Sequence, residues 1–162
     1  MKHIILLVFA TAISSLVHAE LPTREVSTVR GYLVDQGLHT RKWKNLYDDL
    51  YSASSSYKEF GSGYPLRNNI AYYIRGTKTE ANQLKLVLNV NVKKESSKAH
   101  AALAETSKVL YQRLTGKELS KEFYSTIVEG AEQSFSKDGY TVELVRKEWP
   151  TGKGYELQLI IE

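Results

Sequence analysis

The sequence contains no cysteine. Without thiols the chain cannot form disulfides, Cys-ligated zinc sites or iron–sulfur clusters, and it cannot use a thiolate nucleophile or carry a lipid on a cysteine. We therefore expect the fold to be stabilised by the burial of apolar side chains.

The sequence also has few prolines and only a small excess of positive charge. The 162 residues include 3 prolines, and 22 Lys and Arg against 18 Asp and Glu give a formal net charge of +4. So small an excess differs from the concentrated basic face of nucleic-acid-binding proteins, and nucleic acid is not an expected partner. With 42% hydrophobic residues, the composition is typical of a folded globular protein.

A long apolar run occurs at the N-terminus. Lys2 precedes the apolar stretch from residue 4 to residue 13, and Val17 and Ala19 satisfy the small-residue rule for cleavage. Residues 1–19 are therefore interpreted as a signal peptide that is cleaved after Ala19. Because a bilayer span takes about 20 apolar residues, we expect a soluble periplasmic or secreted protein that is not inserted in a membrane after cleavage.

Hydrophobic periodicity predicts four helices and four strands in one domain over residues 20–162. Apolar residues at helical spacing, bounded by capping residues, predict helices over residues 23–36, 42–55, 96–114 and 120–139. Alternating apolar residues predict strands over residues 70–75, 84–92, 140–149 and 155–161, paired as two antiparallel hairpins.

The predicted element order is ααββααββ. This order favours an α+β fold, a two-layer sandwich in which helices cover one face of a four-stranded antiparallel sheet. The two halves, residues 23–93 and 96–162, have the same order of elements, which leaves an internal duplication open. The uncovered face would be polar, except for Val87, Val145 and Ile160, which we expect to be exposed on it.

Residues 20–162 contain no pattern that predicts a metal, a cofactor or a catalytic nucleophile. His39 and His100 are the only histidines in that range, and no Gly-x-Ser-x-Gly elbow occurs there. We therefore expect neither a metal nor a cofactor, and no catalytic residue. A hydrolase in which His39 or His100 meets a hydroxyl and an acid only in the folded protein remains a minor alternative.

Aromatic and basic residues that lie close together in the sequence are the candidate binding residues. Large flat rings next to cations can recognise sugars, anionic groups or protein partners, although the two tryptophans could equally be core or sheet-edge residues. The candidates are Arg41, Trp43, Lys44, Tyr57, Phe60, Tyr64 and Trp149.

Two binding functions follow from these observations. The first is an exported, non-enzymatic module that binds another envelope or secreted protein, in the manner of an inhibitor or immunity factor. The alternative is the binding of a small ligand or glycan between the predicted helix 42–55 and the loop 57–64. A concave aromatic pocket would favour the ligand, whereas a flat patch would favour the protein.

Overall fold

The computed structural model describes residues 24–137 and 139–162, and these residues form an eight-stranded antiparallel sheet with three α-helices. The elements are α1 (Val26–Gly31), β1 (Lys44–Tyr47), β2 (Leu50–Ser54), β3 (Lys58–Phe60), β4 (Asn68–Gly76), β5 (Ala81–Val90), a 3₁₀ turn (Lys93–Glu95), α2 (Ser96–Thr115), α3 (Lys121–Glu129), β6 (Gln133–Lys137), β7 (Tyr140–Glu148) and β8 (Tyr155–Ile161). The predicted signal peptide, residues 1–19, lies outside the described residues.

The strands lie in the order β1-β2-β4-β5-β8-β7-β6, and the short β3 pairs with the same edge of β4 as β2 does. The α+β class is confirmed, but the predicted four-stranded sheet and the order ααββααββ are wrong. Two segments that were predicted to be helical contain strands instead.

The predicted helix over residues 42–55 is wrong, because this segment is the β1–β2 hairpin. Asp48 and Asp49 form its turn, with Asp48 at a φ of 45° and its carbonyl accepting a hydrogen bond from Asn45 Nδ2 at 2.6 Å. Its aromatic residues fit a helical stripe and a pair of strands equally well, and β-strand preference depends strongly on tertiary context. In the folded protein this segment forms a strand that pairs with β4, in which Tyr51 is the partner of Gly76.

The predicted helix over residues 120–139 is right only in its first half. The Ser120 side chain caps α3 by accepting a hydrogen bond from the Phe123 N–H at 3.2 Å, but the helix ends at Gly130, which has a φ of 69°. The chain then forms β6, in which Phe135 packs edge-to-face on Phe123 with ring centroids 4.8 Å apart. The contact between the two rings therefore joins α3 to β6.

The predicted helix over residues 23–36 is shorter than expected. Regular α-helix ends at Gly31, and the following residues form turns in which Tyr32 N donates to Val29 O at 3.3 Å and Gln36 N donates to Leu33 O at 3.1 Å. Such tighter i to i+3 bonds commonly finish a helix. The predicted cap, Thr23, lies outside the described residues.

The predicted helix over residues 96–114 and both predicted hairpins are confirmed. Helix α2 ends before Gly116, whose left-handed conformation closes the last turn, with its N–H donating to Gln112 O at 2.8 Å. Strand β4 pairs antiparallel with β5, and β7 pairs antiparallel with β8. No helix among the described residues is both long and apolar enough to cross a bilayer.

The core lies between one face of the sheet and the helices. Leu84, Leu86 and Leu88 of β5 are at most 2% exposed, and they belong to the same apolar cluster as Leu103 and Leu110 of α2. Helix α1 lies on this side too, because the buried Tyr72 hydroxyl donates to Val29 O at 3.0 Å. This packing leaves the opposite face of the sheet without a helix among the described residues.

The three apolar residues on the uncovered face are less exposed than the sequence predicts. Val87 is only 6% exposed, and Val145 and Ile160 are half-buried, so the expectation that these three residues would be exposed is wrong. Gln158 pairs with both valines across the sheet, and its amide donates to Glu156 at 2.6 Å. Gln158 is itself only 6% exposed, so this part of the face is closely packed.

Candidate functional site

A cleft of about 540 Å³ opens at the end of the sheet where β5 ends and β8 begins. One wall is the loop over residues 61–66, the other is the β7–β8 connection, and the end of β5 lies between them. Its lining residues are Ser62, Gly63, Tyr64, Pro65, Leu66, Asn91, Val92, Lys94, Trp149, Thr151 and Lys153.

Two asparagines fix the base of the first wall to the chain after β5. The buried Asn68 side chain accepts a hydrogen bond from Val92 N at 2.8 Å and donates to Val92 O at 3.4 Å. Asn91 Nδ2 donates to Arg67 O at 2.5 Å. These bonds satisfy backbone groups where the strand pairing ends, and they keep the loop beside the floor of the cleft.

The tip of the same wall is bonded to the start of α2. The Glu95 carboxylate accepts hydrogen bonds from the Ser62 backbone N–H at 3.1 Å and from its hydroxyl at 2.6 Å. These bonds lower the pKa of Glu95, so the carboxylate is ionised at neutral pH. A Cβ at Gly63 would come within 2.6 Å of Leu66 O and of a Val92 methyl, so only glycine fits this closely packed position.

The second wall is a closed hairpin connection. Trp149 N donates to Gly154 O at 3.1 Å, and Gly152 N donates to Trp149 O at 2.8 Å. Lys93 Nζ crosses from the other segment and donates to Gly152 O at 2.8 Å. The Trp149 ring lies against Gly154, where an added Cβ would approach its Cζ3 to 2.4 Å. The indole is thus held against a backbone surface at the edge of the cleft.

The two tryptophans differ in how their indole N–H groups are used. Trp43 Nε1 donates to Thr77 O and Lys78 O, both at 3.2 Å, and its ring stacks on Tyr51 with centroids 6.2 Å apart. In the part of the chain that the structure describes, Trp149 Nε1 has no acceptor. The Trp43 N–H is therefore used within the protein, whereas the N–H of the half-buried Trp149 is not.

Only two of the seven candidate binding residues line the cleft. They are Tyr64, whose side chain is 99% exposed, and the half-buried Trp149. Tyr64 and Trp149 line the same cleft because β5 lies next to β8, which brings the loop before β4 close to the connection after β7.

The other five candidates lie elsewhere. Tyr57 shares a 3.1 Å hydrogen bond with the Tyr73 hydroxyl of β4, and Phe60 packs against the core. Arg41 lies 3.5 Å from the Ser56 hydroxyl, and Lys44 is exposed in β1. Trp43 packs beside the turn after β4, at the opposite end of that strand from the cleft.

Sequence reasoning missed the polar half of the cleft. Lys94 and Lys153 are both exposed and line the cleft together with Asn91. Each belongs to a polar segment next to a strand end, which was the available signal. Their proximity could be deduced only from the strand order.

His100 is bonded at both ring nitrogens. It is 5% exposed, with Nδ1 lying 3.1 Å from Val128 O and Nε2 lying 2.7 Å from the Tyr155 hydroxyl. The neutral ring that donates through Nδ1 and accepts at Nε2 satisfies both contacts, and burial lowers the pKa of His100. His39 is exposed, beside Arg30 and Thr40 in a shallow depression.

No group of three or more His, Cys, Asp or Glu residues converges within residues 24–137 and 139–162. Comparisons with known protein families, with curated proteins and with solved structures found no match.

Proposed function

We propose that this protein is an exported, non-enzymatic binding protein that holds a saccharide ligand in the cleft between residues 61–66 and 149–153. The observation that carries the proposal is the position of the half-buried Trp149, which lines a concave surface and whose N–H has no acceptor among the described residues. Flat rings stack on the CH faces of a sugar, while amide and hydroxyl groups bind its hydroxyls.

The remaining lining residues support the same class of ligand. The fully exposed Tyr64 offers a second ring at the opposite wall, and the lining also contains the polar side chains of Asn91 and Thr151, whose carbonyl and hydroxyl groups can still form further hydrogen bonds. The hydrogen bonds of Asn68 and Glu95 hold the loop in place before any ligand arrives. A preformed cleft loses less conformational entropy on binding than a mobile loop does.

The test is a fluorescence titration of the Trp43→Phe variant, in which Trp149 is the only tryptophan left. The probes are neutral and acidic oligosaccharides: N,N′-diacetylchitobiose, galactotriose and lactose, each with an acidic counterpart. We expect at least one probe to change the Trp149 emission. If all probes at millimolar concentration leave the emission of Trp149 and the NMR signals of residues 61–66 unchanged, the proposal is wrong.

A matched pair of tyrosine variants locates the binding. Tyr64→Ala removes a side chain that makes no contact with the core, so the fold should survive, and we expect about fivefold weaker binding from the loss of roughly 1 kcal/mol of stacking. Tyr47→Ala removes another exposed tyrosine, which is 64% exposed in the edge strand β1, and should leave the affinity unchanged.

Docking of another protein is a second candidate function, and one feature favours it. Strand β1 is an edge strand that exposes 53% of Leu46 and 64% of Tyr47, next to exposed basic residues at positions 41, 42 and 44. Exposed edges can accept an additional strand from a partner. The complementary partner would be an extended segment with apolar and acidic side chains.

Photo-crosslinking tests this second function. A photoreactive amino acid in place of Tyr47 should give one discrete protein adduct in the cells that produce the protein, and Lys42→Glu with Lys44→Glu should abolish the adduct. The control position is Val34, which is 41% exposed and lies outside the sheet. Equal adducts at both positions, or an adduct that is insensitive to charge reversal, would contradict it.

A further inference from the structure

We infer that the ligand of the cleft carries a carboxylate group, and that the ammonium groups of Lys94 and Lys153 bind it. This inference rests on the proposed saccharide site and names the chemistry of its ligand. Two observations support it: which charged side chains lie around the cleft, and which of these side chains already have hydrogen-bond partners in the protein.

Two of the lining residues, Lys94 and Lys153, have charged side chains. Lys94 comes from the 3₁₀ turn after β5 and Lys153 from the β7–β8 connection, and no Asp or Glu is among the lining residues. Neither ammonium group has a hydrogen bond or a salt bridge within residues 24–137 and 139–162. Both positive charges are therefore available to a bound anion.

Two charged side chains next to the cleft, Lys93 and Glu95, already have hydrogen-bond partners in the protein. Lys93 Nζ donates to Gly152 O, so its charge is fixed beside the loop that carries Lys153. The Glu95 carboxylate is bonded to Ser62 and is also attracted by Lys94, but one carboxylate faces the three positive charges of Lys93, Lys94 and Lys153. The field in the cleft is consequently positive, and opposite charges strengthen binding most when they do not already have partners.

Lysine suits an anion whose exact shape is not imposed by the site. Its ammonium group is a compact charge on a flexible stem, in contrast to the planar fork of arginine. Two such groups, one from the 3₁₀ turn after β5 and one from the β7–β8 connection, can bind a carboxylate of a sugar that is stacked on Trp149. The structure thus separates the two tasks: the rings bind the sugar face, and the lysines select its charge.

The test compares oligosaccharides that share a sugar core and differ in an acidic substituent. The pairs are N,N′-diacetylchitobiose with N-acetylglucosaminyl-N-acetylmuramic acid, galactotriose with trigalacturonic acid, and lactose with 3′-sialyllactose. In at least one pair we expect the acidic member to bind about five- to tenfold more tightly at low ionic strength, and the advantage to shrink as salt is added.

Charge-neutralising variants assign this preference to the two lysines. Lys94→Gln together with Lys153→Gln should reduce the preference to within about twofold, because the acidic member loses the attraction of both ammonium groups. Lys78→Gln is the control, since it removes an exposed lysine in the turn after β4, roughly 25–30 Å from the cleft along that strand. It should leave the preference intact.

The outcomes separate the inference from the function on which it rests. If neutral and acidic members bind equally in every pair, the anion inference is overturned while the saccharide site stands. If a preference for the acidic member survives in the double variant, the lysines do not provide it, and the inference fails as well. If no oligosaccharide binds at all, the proposed function itself is wrong.

Discussion

Gly130 lies directly against the imidazole ring of His100: a Cβ on this glycine would come within 2.4 Å of the ring Cε1 atom. Gly130 ends α3 with a φ of 69°, and His100 belongs to α2. The end of one helix is thus packed on a buried polar side chain of the other, and that side chain is bonded in turn to Tyr155 of β8.

This contact predicts different costs for alanine at two helix-ending glycines. Gly116→Ala places a Cβ in open space at a φ of 72°, so it should cost only the strain of a left-handed residue, about 1 kcal/mol. Gly130→Ala has the same strain but also displaces His100 from its hydrogen bonds, and should cost about 2–4 kcal/mol. Urea denaturation of the two variants measures the difference, and equal losses of stability would contradict it.

The burial of His100 predicts that stability falls on acidification. Burial lowers the pKa of His100 in the folded state, with a smaller contribution from the nearby Arg146, so the unfolded chain takes up the proton first. The free energy of unfolding should therefore decrease as the pH falls below about 6.5, the ordinary histidine value, and continue to decrease down to the lowered folded value.

Replacing His100 by a residue that does not titrate isolates this effect. His100→Gln should lose about 1–3 kcal/mol at pH 7.5 through weakened bonds to Val128 and Tyr155, and its stability should vary less between pH 7 and pH 5 than that of the wild type. His39→Gln is the matched control, because His39 is exposed. A wild-type pH slope that persists in His100→Gln would assign the slope to other groups.

The bonds between Glu95 and Ser62 predict that the loop 61–66 loosens without the carboxylate. Glu95→Gln retains the shape but not the charge, so amide hydrogen exchange at Ser62 should become faster, and saccharide affinity should fall about two- to threefold. Because these bonds lower the pKa of Glu95, acidification through that lowered value should have the same effect.

Glu118→Gln is the control for this variant, since Glu118 lies beyond the other end of α2. Unchanged exchange at Ser62 in Glu95→Gln would show that the loop is held by its other bonds, including those of Asn68 to Val92.

The pairing of Asp35 with Arg113 predicts a second, more acidic transition. Arg113 donates to both carboxylate oxygens at 2.6 Å, and the guanidinium holds the pKa of Asp35 at about 2, below the ordinary 3.8. The stability from this pair is present above about pH 4 and is lost as the pH falls through about 2. Asp35→Asn should reduce the slope of stability between pH 4 and pH 2, and Asp49→Asn, in the exposed β1–β2 turn, should not.

The segments with a single regular pattern could be predicted from the sequence. Residues 84–92 alternate between apolar and polar side chains except at Val87, which is compatible with a half-buried strand and not with a helix. In α2, the apolar spacing and Gly116 agree on one helix and one end point. By contrast, the pattern over residues 42–55 fits a helix and a hairpin equally, and the pairing of β2 with β4 decided between them.

Some residues of the candidate site could also be predicted from the sequence, and others could not. Tyr64 and Trp149 could be named from their residue type and their neighbours in sequence, but so could Trp43, whose N–H is used by two backbone carbonyls. Lys94 and Lys153 give no signal on their own, because single exposed lysines occur on most protein surfaces. Their shared location depends on a contact between segments that are far apart in the chain.

The sequence by itself determined that no disulfide can form, that apolar burial must hold the α+β fold, and that aromatic and basic side chains are available for binding, since these properties depend on residue type and local spacing. The tertiary structure alone decided which of those side chains meet. The pairing of Val90 with Tyr155 joins strands that 64 intervening residues separate, and it is this pairing that brings the two walls of the cleft together. Local periodicity carries no information about such distant partners, which are selected by the packing of the whole sheet against its helices.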